Sequence, residues 1–132
     1  MSILRPDWRL FVLGALFAAF LLVGYLSDQK VLQAAVELEH LAKGVEVAVG
    51  LDDWPIARQL LDRLSASWPS TRRTWDLRMD RDEMDEFDLC LARLRGSMSE
   101  EDKAGALSEL AVWSTLLTHV QQKEVFRWRN LL

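Results

Sequence analysis

Hydrophobic and polar positions along the chain follow two regimes. From Leu10 to Leu26, LFVLGALFAAFLLVGYL, seventeen successive positions carry no charge. Beyond Leu26 the apolar residues return at intervals of three and four, the spacing of amphipathic helices, and no stretch alternates with period two. The first such stripe runs Val31, Ala34, Leu38, Leu41, Val45 and Ala48, and the second Ala57, Leu60, Leu61, Leu64 and Trp68. A third takes Leu77, Met84, Phe87, Leu91 and Leu94, and a fourth Ala106, Leu110, Trp113, Leu117 and Val120.

Boundary residues separate the stripes. Gly50 ends the first helix through the left-handed backbone that a C-terminal glycine adopts readily. Asp53 caps the second, with Trp54 and Pro55 in its first turn. Pro69 stops the second helix at about Trp68, because an interior proline removes a backbone donor and clashes with the preceding turn. Gly96 closes the third helix, and Ser99 caps the fourth, with Glu100, Glu101 and Asp102 at the positive end of its dipole. A faint repeat supports a paired arrangement: DWPIARQLLDRL, from Asp53, aligns with DKAGALSELAVW, from Asp102, so that Asp53 matches Asp102, Ala57 matches Ala106 and Leu61 matches Leu110. The expected fold is all-α: an N-terminal transmembrane helix continuing into an antiparallel four-helix bundle made of two helical hairpins.

The apolar run spans about 26 Å at 1.5 Å per residue, the short end of what a bilayer core requires. Trp8 and Tyr25 flank it where amphipathic rings favour the interface, and Arg5 and Arg9 precede it. The bias of basic residues keeps the N-terminus in the cytoplasm and sends the rest outside. The expected organisation is a cytoplasmic segment 1–9, an anchor 10–27 and an extracytoplasmic helical bundle 28–132. Cleavage as a signal peptide is disfavoured, because small residues are wanted where bulky Tyr25 and Leu26 stand. Between Tyr25 and Val49 there is no proline. One helix is therefore expected from about Pro6 to Val49, roughly 65 Å long.

Charge removes some functions. The whole chain carries a formal net charge of −4, and its bases are interleaved with acids. Without a clustered basic face it is a poor binder of phosphate backbones, so nucleic acid is not an expected partner. Cys90 is the only cysteine. It offers no disulfide and no zinc spacing, and it reads as a small apolar filler.

The stretch MDRDEMDEFDLC packs six carboxylates between Asp80 and Asp88. On a helix most of them fall on outer faces. Asp80 shares the inward row with Phe87 and Leu94. A third-to-fourth hairpin around Gly96 to Ser99 would bring position 80 near His119. Asp80 and His119 are thus a candidate buried polar pair, and Asp76 or Arg72 could also take part, since a buried carboxylate needs a partner. A metal or catalytic bundle would draw on Glu37, His40, Asp80 and His119. Glu37-x-x-His40 is one half of a di-metal motif that recurs on separate helices, and His119 lacks the matching Glu. No Ser-His-Asp set or phosphate loop appears. No catalytic residue, cofactor or metal is therefore expected.

Five tryptophans follow the apolar run, Trp54, Trp68, Trp75, Trp113 and Trp128. Core packing accounts for such rings, and an exposed aromatic surface built on Trp68, Trp75, Trp113 and Trp128 is the candidate partner surface. The order of an N-terminal anchor, DDWPIARQLLDRLSASW, a further W, DRDEMDEFDLCLARL, ALSELAVWSTLLTHV and RNLL resembles domain-of-unknown-function family 4363, small membrane-anchored proteins of Gram-positive bacteria. The resemblance implies an anchored helical domain and carries no activity with it. The expected function is that of a membrane-tethered helical interaction or structural module of the bacterial cell envelope. Its expected partners are the lipid bilayer and another envelope protein, and no oligomeric state follows from the pattern.

Overall fold

The structure, a computed structural model, describes the backbone of residues 4–131 and the side chains of 8–26, 29–127, 129 and 130. It is all-α, with α1 Leu4–Gly50, α2 Trp54–Trp75, α3 Arg81–Ser99 and α4 Lys103–Leu131. The chain divides into two units, Met1–Lys30 and Val31–Leu132. In the first unit the apolar run is helical and its side chains are bare, with Phe11 79% and Phe20 74% exposed. Among the described residues this is the one helix long and apolar enough to cross a membrane. Gln29 Nε2 donates to the Tyr25 phenol at 3.0 Å.

The second unit is a bundle of two hairpins. Its core draws on every helix: Val31, Leu38 and Val45 from α1, Leu61, Leu64 and Trp68 from α2, Met84, Phe87 and Leu94 from α3, Leu110, Trp113 and Leu117 from α4. The centre is aromatic. The Phe87 ring lies 4.8 Å from Trp68, 5.1 Å from Trp113 and 5.9 Å from Trp75, and Trp68 meets Trp75 and Trp113 edge-on at 5.8 and 5.5 Å. Edge-to-face pairs at these separations contribute about 0.5–1.5 kcal/mol each beyond the area they bury.

Two corners with one design turn the hairpins. At the first, Asp53 N–H donates to Ala48 O at 2.8 Å and Asp52 N–H to Val49 O at 3.0 Å. At the second, Asp102 N–H donates to Ser97 O at 2.9 Å and Glu101 N–H to Met98 O at 3.2 Å. Both are Schellman motifs, which need one residue with positive φ. Asp52 (φ 57°) and Glu101 (φ 51°) supply it. Each corner then feeds directly into the next helix. The Asp53 carboxylate accepts from Ile56 N–H at 3.4 Å, and the Asp102 carboxylate from Gly105 N–H at 3.1 Å. These bonds satisfy donors that a helix start leaves open. The faint repeat of the sequence is real at this level, since the two backbone bonds, the positive φ and the aspartate cap of one corner recur in the other.

Three boundaries differ from the expected ones. Gly50 does end α1, but Asp52, not the glycine, adopts the left-handed conformation. Pro69 lies inside α2, which runs on to Trp75. The extension brings Trp75 to complete burial against Trp68 and Phe87. Burial of an indole outweighs the roughly 3 kcal/mol an interior proline costs. Gly96 lies within α3, and Asp102, not Ser99, caps α4. Ser99 donates instead to Gly96 O at 2.8 Å.

Candidate functional site

The later registers decide what the acidic stretch does. Residues 76–80 form the turn between α2 and α3, where Arg78 and Met79 N–H donate back to Trp75 O at 2.9 and 3.0 Å. Leu77 is therefore outside any helix and 91% exposed, and Trp75 takes the core place expected for it. Asp80 precedes the first residue of α3 and is exposed. His119 is also exposed. The expected Asp80–His119 pair does not form, because the corner of the second hairpin lies at Glu100–Asp102 and shifts the facing register. Arg93 Nε meets Glu109 at 2.9 Å, and Arg78 meets Glu124 at 3.7 Å.

The buried carboxylate is Glu124, 3% exposed, with Arg78 beside it. Its place follows from the α4 stripe, one turn beyond Val120. Asp85 and Asp88 serve the α2–α3 seam. Arg72 pairs with Asp88, with Asp85 at 3.2 Å and with Asp76 at 3.9 Å, while Asp88 accepts from the Trp68 indole at 2.6 Å. Glu83 pairs with Lys123 across α3 and α4 and pushes the Lys123 ammonium pKa up. Asp85 and Asp88, through Arg72, and Glu83, through Lys123, thus tie α3 to its neighbours, while Asp80, Asp82 and Glu86 are exposed.

Trp68, Trp75 and Trp113 are 3%, 0% and 0% exposed. They cannot present a partner surface, because they are the centre of the core. The side chain of Trp128 lies outside the described residues. Glu37 and His40 share the exposed face of α1, remote in sequence and element from Asp80 and His119. Among the described residues no three of His, Cys, Asp and Glu gather as metal ligands. Cys90 is fully buried, its Sγ donating to Glu109 O at 3.2 Å. Burial first, and then the charge and hydrogen bonding of Glu109, raise its pKa to about 12, so it stays a thiol.

The surface that the folded bundle does leave open lies along α1 and α2. On the outer side of α1, Val36, His40, Val47 and Leu51 recur at helical spacing beside the core stripe. Val36 is 56%, Val47 53% and Leu51 75% exposed, and Ile56 on α2 is 48% exposed. They border two adjoining shallow depressions. One, about 500 Å³, is lined by Val36, Glu37, His40, Leu41 and Leu60. The other, about 420 Å³, is lined mainly by His40, Gly44, Val47, Leu51 and Ile56. Gly44 lets the two helices approach here, since a Cβ on it would lie 3.0 Å from Leu60 Cδ1. His40 belongs to both depressions, with the carboxylates of Glu37 and Asp53 and the ammonium of Lys43 on their rims. The two depressions together make an apolar floor with a mixed-charge rim. The sequence signal for it was a second apolar stripe one position beside the first.

The family model described as Domain of unknown function (DUF4363) matches residues 25–131. No curated protein and no solved structure matches the chain.

Proposed function

Since the chain belongs to the family described as Domain of unknown function (DUF4363), we propose a role its description leaves open: a single-pass, membrane-tethered helical module. The module holds its bundle outside the cytoplasm and binds another envelope protein without catalysing a reaction. The α1–α2 groove is the contact surface, and the observation that supports it is the exposure of Val36, Val47, Leu51 and Ile56 together on one face. A contiguous apolar patch of this kind on a folded unit marks a binding site more often than chance exposure does. The partner supplies an apolar helix face whose flanking charges meet Glu37, Lys43 and Asp53. The apolar run, bare along its whole length, supports the tether.

A photoreactive residue at Val47, in the full chain in its own membranes, tests the groove. It is expected to capture one protein, and capture is expected to vanish in the Ile56→Glu variant with helicity unchanged. Equal capture from the exposed position Ala111 on α4, or capture insensitive to Ile56→Glu, overturns it. A Ser108→Cys variant labelled by an impermeant maleimide in intact cells tests the side of the membrane. Labelling only after lysis overturns the extracytoplasmic placement.

A further inference from the structure

Among the described residues the last buried side chain of α4 is Glu124, and the helix continues to Leu131. Val125 is 53% and Phe126 65% exposed, and they border a shallow depression of about 320 Å³ with Thr118, Gln121, Gln122 and Arg129. Between Val125 and Leu132 the charged side chains are Arg127 and Arg129. Neither makes an ion pair among the described residues, whereas Lys123 and Glu124 are both engaged, by Glu83 and Arg78. Among the described residues, Val125 and Phe126 are therefore exposed beside two arginines that no carboxylate neutralises.

Its place in the bundle says what covers it. The two corners lie together, since Lys103 Nζ reaches Gly50 O at 3.1 Å and Asp52 at 3.4 Å. α1 runs toward those corners and α4 runs away from them. The end of α4 is therefore at the end of the bundle where Val31 enters the core. Five residues back along the chain from Val31 is Leu26, the last of the apolar run.

We propose that the turns of α4 beyond Glu124 rest on an anionic lipid surface, with Val125 and Phe126 in the interfacial layer and Arg127 and Arg129 against lipid phosphates. The proposal rests on the apolar run being a membrane anchor. Aromatic and aliphatic side chains partition to the boundary of headgroups and acyl chains, and arginines gain from the negative potential there. A second copy of the chain suits this surface less well, because a two-fold contact would set Arg127 and Arg129 against their own counterparts.

The test uses the full chain in nanodiscs of phosphatidylcholine, alone or mixed with phosphatidylglycerol. Nitroxide labels are placed in turn at Phe17→Cys, Ser108→Cys and Val125→Cys, and their accessibility to oxygen and to a water-soluble nickel chelate is compared. The label at 17 is expected in lipid and the label at 108 in water with both compositions. The label at 125 is expected to move from water to the interface when phosphatidylglycerol is present. It is expected to return to water in the Arg127→Gln/Arg129→Gln variant or in molar salt. A label at 125 that stays in water in the anionic discs, with 17 in lipid, overturns the proposal and leaves the anchor standing. Water at 17 overturns the anchor itself. Spin–spin broadening at 125 that disappears on dilution with unlabelled chain assigns the surface to a second copy and overturns the lipid contact.

Discussion

Asp88 carries more of the α2–α3 seam than its exposed neighbours, because it accepts from the Trp68 indole at 2.6 Å while pairing with Arg72. Asp88→Ala leaves a part-buried indole donor without its acceptor, and a loss of about 1–3 kcal/mol is expected in urea unfolding. Arg72→Ala is expected to cost less, since that side chain is partly in water and surface pairs contribute about 0–1 kcal/mol. Cys90 makes the opposite kind of prediction. Its folded pKa, about 12, lies above the value near 8.5 of an unfolded thiol. The unfolded chain therefore gains charge first as pH rises, and the stability held by the neutral thiol is fully present below about 8.5 and lost progressively toward 12. Cys90→Ala is expected to remove that slope between pH 9 and 11 in a comparison of unfolding midpoints. The folded wild type is expected to resist a thiol reagent that the unfolded chain consumes. At the centre, Trp113→Ala opens a cavity against Trp68 and Phe87, and about 3–5 kcal/mol is the expected cost.

At the scale of elements, the corners show how charge and backbone are combined. Positive φ is a glycine's territory, yet Asp52 and Glu101 occupy it. Each reaches a base on the other hairpin, Asp52 with Lys103 and Glu101 with Arg58 at 2.6 Å. The two acids therefore tie the hairpins to one another at the cost of a less favourable backbone. Removing either cap, as Asp53→Ala or Asp102→Ala, is expected to cost about 1 kcal/mol, and the two losses are expected to add unless the corners fold as one unit. A thermal-unfolding cycle over both caps measures that coupling. Helix identity and three of the four core stripes were legible from the spacing of apolar residues alone. The α2–α3 boundary was not. A proline weighs heavily in local propensity, and nothing local reveals that α2 must run about two more turns to carry Trp75 into the core. Carrying the third stripe back to Leu77 put Asp80 on an inward row it does not occupy, and setting the corner a few residues early put His119 opposite it.

For the whole molecule, the pattern of the chain gave the bundle and the apolar segment but not the open face. Core packing, the reading that accounts for such rings, holds for Trp68, Trp75 and Trp113, so these three do not form the candidate partner surface. What remained exposed was aliphatic: Val36, Val47, Leu51 and Ile56. Such residues read as core in a sequence until the true core has claimed its stripe. Gly44 marks the place where the two readings meet. Gly44→Leu is expected to part α1 from α2 at Leu60, lowering the melting temperature and weakening capture at the groove together. Val47→Glu is expected to weaken capture alone, within about 0.5 kcal/mol of wild-type stability, as surface substitutions usually are.

The twin corners are alike in backbone but keyed differently. Gly105 stands where the first corner has Ile56, and a Cβ there would lie 2.7 Å from Ser97 Oγ as well as against the Asp102 carboxylate. Ala48, the counterpart of Ser97, carries no hydroxyl. The short hinges 50–53 and 99–102 can consequently be exchanged like matching spare parts, while a graft reaching as far as Ile56 obliges the Ser97 and Asp102 side chains to turn aside.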